Sequence, residues 1–152
     1  ILILLGGNMF AGVFVASGGV SVAEELLRSA HLTPWLTLVV FLAICFVAGF
    51  VLDWISVLLI FIPVFIPIVN SLGYESVWFC VMFLVVIQTS YLTPPMAPAI
   101  FYLRGISPPE ITLHHMFKGV IPFIVLQLIC LAVVGWFPQT VLWLPAQLLG
   151  FK

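Results

Sequence analysis

Long apolar runs make up most of the chain, and the few places that interrupt them define its elements. Residues 1–23 carry no charge and are long enough to cross a hydrocarbon core of roughly 30 Å, which takes about 20 helical residues. Gly6-Gly7-Asn8 and Ser17-Gly18-Gly19 lie inside that run, so a break is expected within it. A short polar segment follows with Glu24, Glu25, Arg28 and His31. Val22, Leu26 and Leu27 give it the apolar side of a helix lying at the membrane surface. Thr33-Pro34 marks a fresh start, with Thr33 as N-cap and proline at the first helical position.

Residues 34–74 contain one charge, Asp53. Two readings of this stretch are open. Residues 35–52 and 54–69 are two short spans with Asp53 in an aqueous turn, or they are the arms of a re-entrant hairpin whose tip, 49–53, stops partway across. Pro63 and Pro67 disrupt helical hydrogen bonding in the second arm, and irregular backbone at membrane depth requires cover from protein or a wet cavity. A loop is expected at 70–75, with Glu75 at the start of the next helix, where the dipole favours an anion. The uncharged run 76–103 is then interrupted by Gln88-Thr89-Ser90-Tyr91-Leu92-Thr93-Pro94-Pro95-Met96-Ala97-Pro98. Its three prolines preclude one continuous helix. The expected form is a helix from Ser76 to about Gln88, an unwound stretch, and a second piece from Ala99 to Leu103. Ser107 is expected to cap an interfacial helix reaching Lys118. A last span then covers 119–137, with Trp136, Phe137 and Trp143 at the headgroup level, and an apolar tail punctuated by Pro138 and Pro145.

Composition fixes the solvent. Of 152 residues, 64% are hydrophobic and 6% charged, against about 25% charged in an ordinary soluble domain. Nine charged side chains cannot cover a water-facing globule of this size, so lipid is the expected surroundings. No basic patch exists to bind nucleic acid. The opening Ile1-Leu2-Ile3 lacks a basic n-region, and the chain reads as part of a longer protein. Cys45, Cys80 and Cys130 are isolated in apolar runs and are expected to be buried, reduced and structural. The short loops at Arg104 and Lys118 favour the cytoplasm for that side of the membrane.

Candidate chemistry lies at the interruptions. Secondary transporters bind substrate and ion at broken helices, where half-helix ends expose unpaired N–H and C=O groups. Gln88, Thr89, Ser90 and Thr93 place neutral oxygens beside the proline break. The bland alternative is a kinked structural span whose hydroxyls re-satisfy the backbone. Asp53 is the one acid inside a long apolar run. It is an ion ligand, a proton carrier or a hairpin-tip cap, or else it lies in water or N-caps the second arm. Asn8 fits either an interior-facing role or an interhelical hydrogen bond. His31 and the His114-His115 pair have neither the spacing nor the third ligand of a metal site. No GxSxG, HExxH, P-loop or GxGxxG motif is present, so no enzyme is expected.

Several segments together carry a resemblance. They are Gly49-Phe50-Val51-Leu52-Asp53-Trp54, Pro63-Val64-Phe65-Ile66-Pro67-Ile68, Leu72-Gly73 before Val77-Trp78-Phe79, and Gln88 through Pro95 continuing into Ala99-Ile100-Phe101-Tyr102-Leu103-Arg104-Gly105. Pro108-Pro109-Glu110, Gly119-Val120-Ile121-Pro122-Phe123, Phe137-Pro138 and Leu144-Pro145 follow in order. This succession resembles the large membrane subunit of TRAP transporters, the DctM-type permease, from about Trp35 to Pro145; the first 34 residues fit more loosely.

The resemblance implies the C-terminal portion of the second inverted repeat of an elevator-type, Na⁺-coupled permease. It implies an all-α membrane fold with a re-entrant hairpin and a discontinuous helix. Residues 1–33 become a transmembrane helix and connector, 34–70 the hairpin, 71–105 the discontinuous helix, 106–118 an interfacial helix and 119–152 the last span and tail. Gly49, Asp53, Thr93 and Pro94 are then the candidate Na⁺ site, and Gln88, Thr89, Ser90, Thr93 and Pro95 the candidate substrate wall. No cofactor beyond the coupling ion is implied. The implied partners are a small DctQ-type membrane subunit, a periplasmic DctP-type binding protein and a small organic anion, at a bacterial or archaeal inner membrane. Met96-Ala97-Pro98-Ala99 replaces the Gly-rich continuation of many members, and the flanking residues resemble a subgroup associated with 2-oxo or hydroxy monocarboxylates. A non-transporting membrane scaffold is the alternative.

Overall fold

The structure, a computed structural model, describes residues 2–29, 33–94 and 97–149. Its described residues form eight α-helices and no strand. The break expected in the first run falls at Ser17-Gly18. There α1 (Leu2–Ala16) gives way to α2 (Gly19–Ser29) at a 67° bend, with Gly18 at φ +79. Gly7, rather than the exposed Asn8, is the close-packing position of α1. An added Cβ there would lie 2.7 Å from Cβ of Leu59.

Thr33 caps α3 (Pro34–Ala48) as expected; its hydroxyl accepts from the Leu36 amide at 3.4 Å, and Pro34 occupies the first turn. The second arm, α4 (Trp54–Ser71), runs unbroken through Pro63 and Pro67. Proline removes a donor but does not compel a break when the flanking turns are held by packing, and Val57, Phe65, Ile68 and Val69 are all buried. The helix ends two residues later than the expected loop allowed. Gly73, at φ +83, lets the Tyr74 amide return to the Val69 carbonyl at 3.2 Å, the αL stop that glycine makes easy.

The next helix, α5 (Ser76–Leu92), is the core of the bundle. Trp78, Phe79, Met82, Phe83, Val86 and Ile87 are buried along it. Phe41 of α3 stacks on Phe65 of α4 at 4.0 Å between centroids, and Phe65 meets Phe79 of α5 edge-on at 6.4 Å. This aromatic line fastens both arms of the hairpin to α5.

After a break comes α6 (Pro98–Ile106), then α7 (Leu113–Trp136) and α8 (Gln139–Leu149). Two expectations are corrected here. Ser107 ends α6 instead of starting a helix, and no separate interfacial helix covers 106–118. Thr112 caps α7, with His115 completing the capping box, so Leu113 to Trp136 is one continuous helix. Arg104 donates to the Pro108 and Ile111 carbonyls and clamps the α6–α7 loop, which leaves the helix start to Thr112.

By length and composition α4 and α7 could each cross a membrane, and the bent α1–α2 pair could make a further span. Only Met116 and Val134 of α7 are buried, so most of this apolar helix faces outward, as lipid surroundings require. Cys130 on this helix is exposed for the same reason, and Cys80 on α5 is half-buried; of the three free thiols only Cys45 meets the expectation of burial.

Among the described residues, one polar bond joins α5 to α7. The Trp78 indole N–H donates to the Val134 carbonyl at 2.7 Å in a buried setting. The helical donor to that carbonyl would come from residue 138, which is proline. Replacing Trp78 by Phe in the full-length protein is therefore expected to cost about 1–3 kcal/mol, the penalty of a buried acceptor left bare. The readout is the melting temperature in detergent, and an unchanged value would mean that the carbonyl finds another donor.

Candidate functional site

The two interruptions of the apolar pattern meet in space. At the hairpin tip α3 ends at Ala48, and the Gly49 amide donates back to the Cys45 carbonyl at 2.9 Å. Turns at 49–52 then lead to Asp53, whose backbone is extended. Oδ2 of Asp53 accepts from the amides of Ile55 at 3.1 Å and Ser56 at 3.2 Å, and the Ser56 hydroxyl donates to Oδ1. Asp53 is thus the N-cap of α4, one of the roles open from the sequence. It is exposed, and a carboxylate offers about four lone-pair sites, so accepting these three bonds leaves capacity for another partner.

Against this tip lies the last turn of α5. A Cβ added to Gly49 would fall 2.1 Å from Oγ of Ser90 and 3.1 Å from its Cβ, so only glycine permits the approach. Ser90 is fully buried, and its Oγ has no hydrogen-bond partner among the described residues. An unpaired hydroxyl in an apolar setting costs roughly 1–3 kcal/mol, and unsatisfied groups of this kind mark strain, function or a missing ligand.

The break itself is shorter than expected. Residues 89–92 are helical, and the chain leaves the helix at Thr93, at φ −87 and ψ 133. The residue before a proline is pushed out of the helical region, whereas those further back are not. Pro94 cannot donate to the Ser90 carbonyl, which instead takes the Thr93 amide at 3.2 Å. Hydroxyls of Thr89 and Thr93 donate to the carbonyls of Val85 and Thr89, each at 2.7 Å; their oxygens remain able to accept. On the far side Ala97, fully buried, sits at φ +29. A left-handed conformation in a non-glycine residue stores strain that the surroundings must hold.

The candidate residues do not all converge. Ser90 faces Gly49, Thr89 lines a groove between α3, α5 and α7, and the exposed Gln88 lines a separate cavity with Gln127. Successive helical residues point about 100° apart, so one wall cannot take all three. Thr93 and Pro94 stand at the break, and Pro95 lies outside the described residues. Two further polar side chains that the sequence reading did not single out stand near the break, the half-buried Tyr91 at the end of α5 and the exposed Tyr102 on α6. Their only sequence signal is that the two tyrosines flank the proline break.

Gly49→Ala is expected to destabilise the full-length protein by about 1–3 kcal/mol through overpacking at Ser90. Adding Ser90→Gly should recover most of that loss in a thermal-melt cycle, and additive effects would dissociate the two positions.

Known proteins share this sequence pattern. The sequence matches the family described as "Tripartite ATP-independent periplasmic transporter, DctM component" over residues 1–140. It is 33% identical over 116 residues to the sialic acid TRAP transporter large permease protein SiaM of Vibrio cholerae, covering 76% of this chain and 26% of that protein. It is 27% identical over 126 residues to the C4-dicarboxylate TRAP transporter large permease protein DctM of Vibrio cholerae, covering 83% and 27%. Against the 2,3-diketo-L-gulonate TRAP transporter large permease protein YiaN of Escherichia coli it is 24% identical over 119 residues, covering 78% and 28%. The chain thus spans about a quarter of the length of these relatives. No solved structure matches it. The resemblance read from the two breaks and their flanking prolines holds over nearly the entire sequence, and the chain belongs to the DctM family of TRAP transporter large permeases.

Proposed function

We propose that this chain supplies the second hairpin and its facing broken helix to a Na⁺-coupled, binding-protein-dependent importer of a small organic acid. Membership of a family of transporter permeases supports secondary transport. The hairpin α3–α4 is re-entrant in this reading, and the surrounding helices move as part of an elevator. The single observation that carries the site assignment is the unpartnered, fully buried Ser90 hydroxyl pressed against Gly49 at the tip. A desolvated cation is held by neutral oxygens of this kind, together with C-terminal helix carbonyls, whose dipole is negative. Pro95 carries no amide N–H to donate to the Tyr91 carbonyl, so the sequence itself frees an oxygen at the break.

In this proposal Ser90, Thr93, the backbone at Gly49 and Pro94, and the Asp53 carboxylate surround the transported Na⁺. Thr93 edges the substrate space, with Thr89 and Gln88 behind it on other faces of α5. The substrate is a carboxylate. Named relatives carry sialic acid, C4-dicarboxylates and 2,3-diketo-L-gulonate, all organic acids, which supports the class without selecting a member. A small membrane subunit braces the permease and a periplasmic binding protein delivers the anion, in a bacterial or archaeal inner membrane.

The test is uptake of a labelled organic acid into proteoliposomes holding the full-length permease and its partners. Uptake should need a Na⁺ gradient. Ser90→Ala and Thr93→Ala should each raise the Na⁺ concentration for half-maximal uptake by about tenfold, equivalent to about 1.4 kcal/mol. Uptake indifferent to Na⁺ and to both substitutions would overturn the reading.

A further inference from the structure

A second built feature lies at the opposite end of α5 from the break. The first turn of α3, the α4–α5 turn and the end of α7 all come to this end of the bundle. Trp35, Tyr74, Trp78 and Trp136 line a cavity of about 400 Å³ there, together with Glu75. Three of the rings are contiguous. Trp35 stacks on Trp78 at 6.3 Å, and Tyr74 is 5.5 Å from Trp78. The Trp78–Val134 hydrogen bond holds the central ring in place. Glu75 stands at the N-cap position of α5, but its side chain makes no cap hydrogen bond. Aromatic faces with a carboxylate at the mouth recognise an ammonium group.

This cavity shares Trp35, Gly135 and Trp136 with a groove of about 580 Å³ running along α3, α5 and α7. The groove is walled by side chains such as Leu38, Leu42, Met82 and Leu131. Apart from the indoles of Trp35 and Trp136, the one polar side chain among its described lining residues is Thr89, whose hydroxyl is already bonded to the Val85 carbonyl.

We propose that this face binds a phospholipid with an ammonium headgroup, the headgroup in the aromatic cage and an acyl chain in the groove. Both halves of the site match that ligand. The cage offers ring faces and a negative charge at the level where tryptophan and tyrosine meet the headgroups. The groove offers hydrocarbon with no hydrogen-bonding requirement. A lipid with an anionic headgroup and no ammonium would meet the Glu75 carboxylate unfavourably. A helix from elsewhere in the permease is the competing occupant.

The experiment uses the full-length permease, equilibrated in detergent with equal phosphatidylethanolamine and phosphatidylglycerol. Retained lipid is counted by native mass spectrometry, independently of any transport assay. Phosphatidylethanolamine should be enriched by about tenfold. Glu75→Gln, an exposed change, should bring the two lipids to near parity, and Trp136→Ala should lower the enrichment severalfold. Gly135→Leu, placed where cavity and groove join, should abolish retention of both. Gly135→Ala should not, because its Cβ would sit 3.7 Å from Trp35 and 3.9 Å from Met82, in ordinary contact. Equal retention by the unaltered protein, or enrichment unchanged in Glu75→Gln, would overturn the proposal. So would a photo-cross-linker at Leu131 that captures another segment of the permease instead of lipid.

Discussion

The aromatic contact among three helices is what the rest of the arrangement depends on. Phe41, Phe65 and Phe79 bring α3, α4 and α5 to one line, and Phe83 extends it along α5 at 6.3 Å from Phe79. In a bilayer the lipid tails are as apolar as these side chains, so burial gives little drive between helices and close packing must supply it. With both arms of the hairpin fixed to α5, the tip is set at the height of Ser90, and glycine at position 49 allows backbone to reach side chain. The site follows from the packing line, not from local preference at the tip.

Much of this was legible in the sequence. Thr33-Pro34 reads as a helix start and is one. Ser17-Gly18 reads as a break, and the chain bends there. The proline cluster announces a discontinuous helix, and its position on the chain is right. The hairpin's outline follows from Asp53 standing alone between two apolar runs. Asp53 itself shows why the reading stopped short: a carboxylate two and three residues before amide groups can cap, but only geometry decides whether it does.

What was not legible is long-range or depends on competition between signals. The extent of α5 was underestimated because polar residues 88–90 look like the start of an unwound stretch. The actual constraint acts on Thr93, next to Pro94. Ser107 followed by prolines resembles a helix cap, but Arg104 uses the carbonyls of that loop and Thr112 caps instead. The meeting of Gly49 with Ser90 joins positions far apart in sequence, and no local pattern reports it. Neither does the separation of Gln88, Thr89 and Ser90 onto three faces, until the helix is known to continue through them.

The bond from Trp78 to the Val134 carbonyl has a mechanical meaning. Pro138 strips that carbonyl of its own helical donor, and a side chain from another helix replaces it. Sliding α7 along α5 by one turn would leave an indole N–H and a carbonyl both bare in a nonpolar interior, at several kilocalories per mole together. The two helices are therefore latched in register. A shift of α7 along α5 must break this bond, whereas the contact of Gly49 with Ser90 is held by shape alone, with no hydrogen bond from the Ser90 hydroxyl among the described residues.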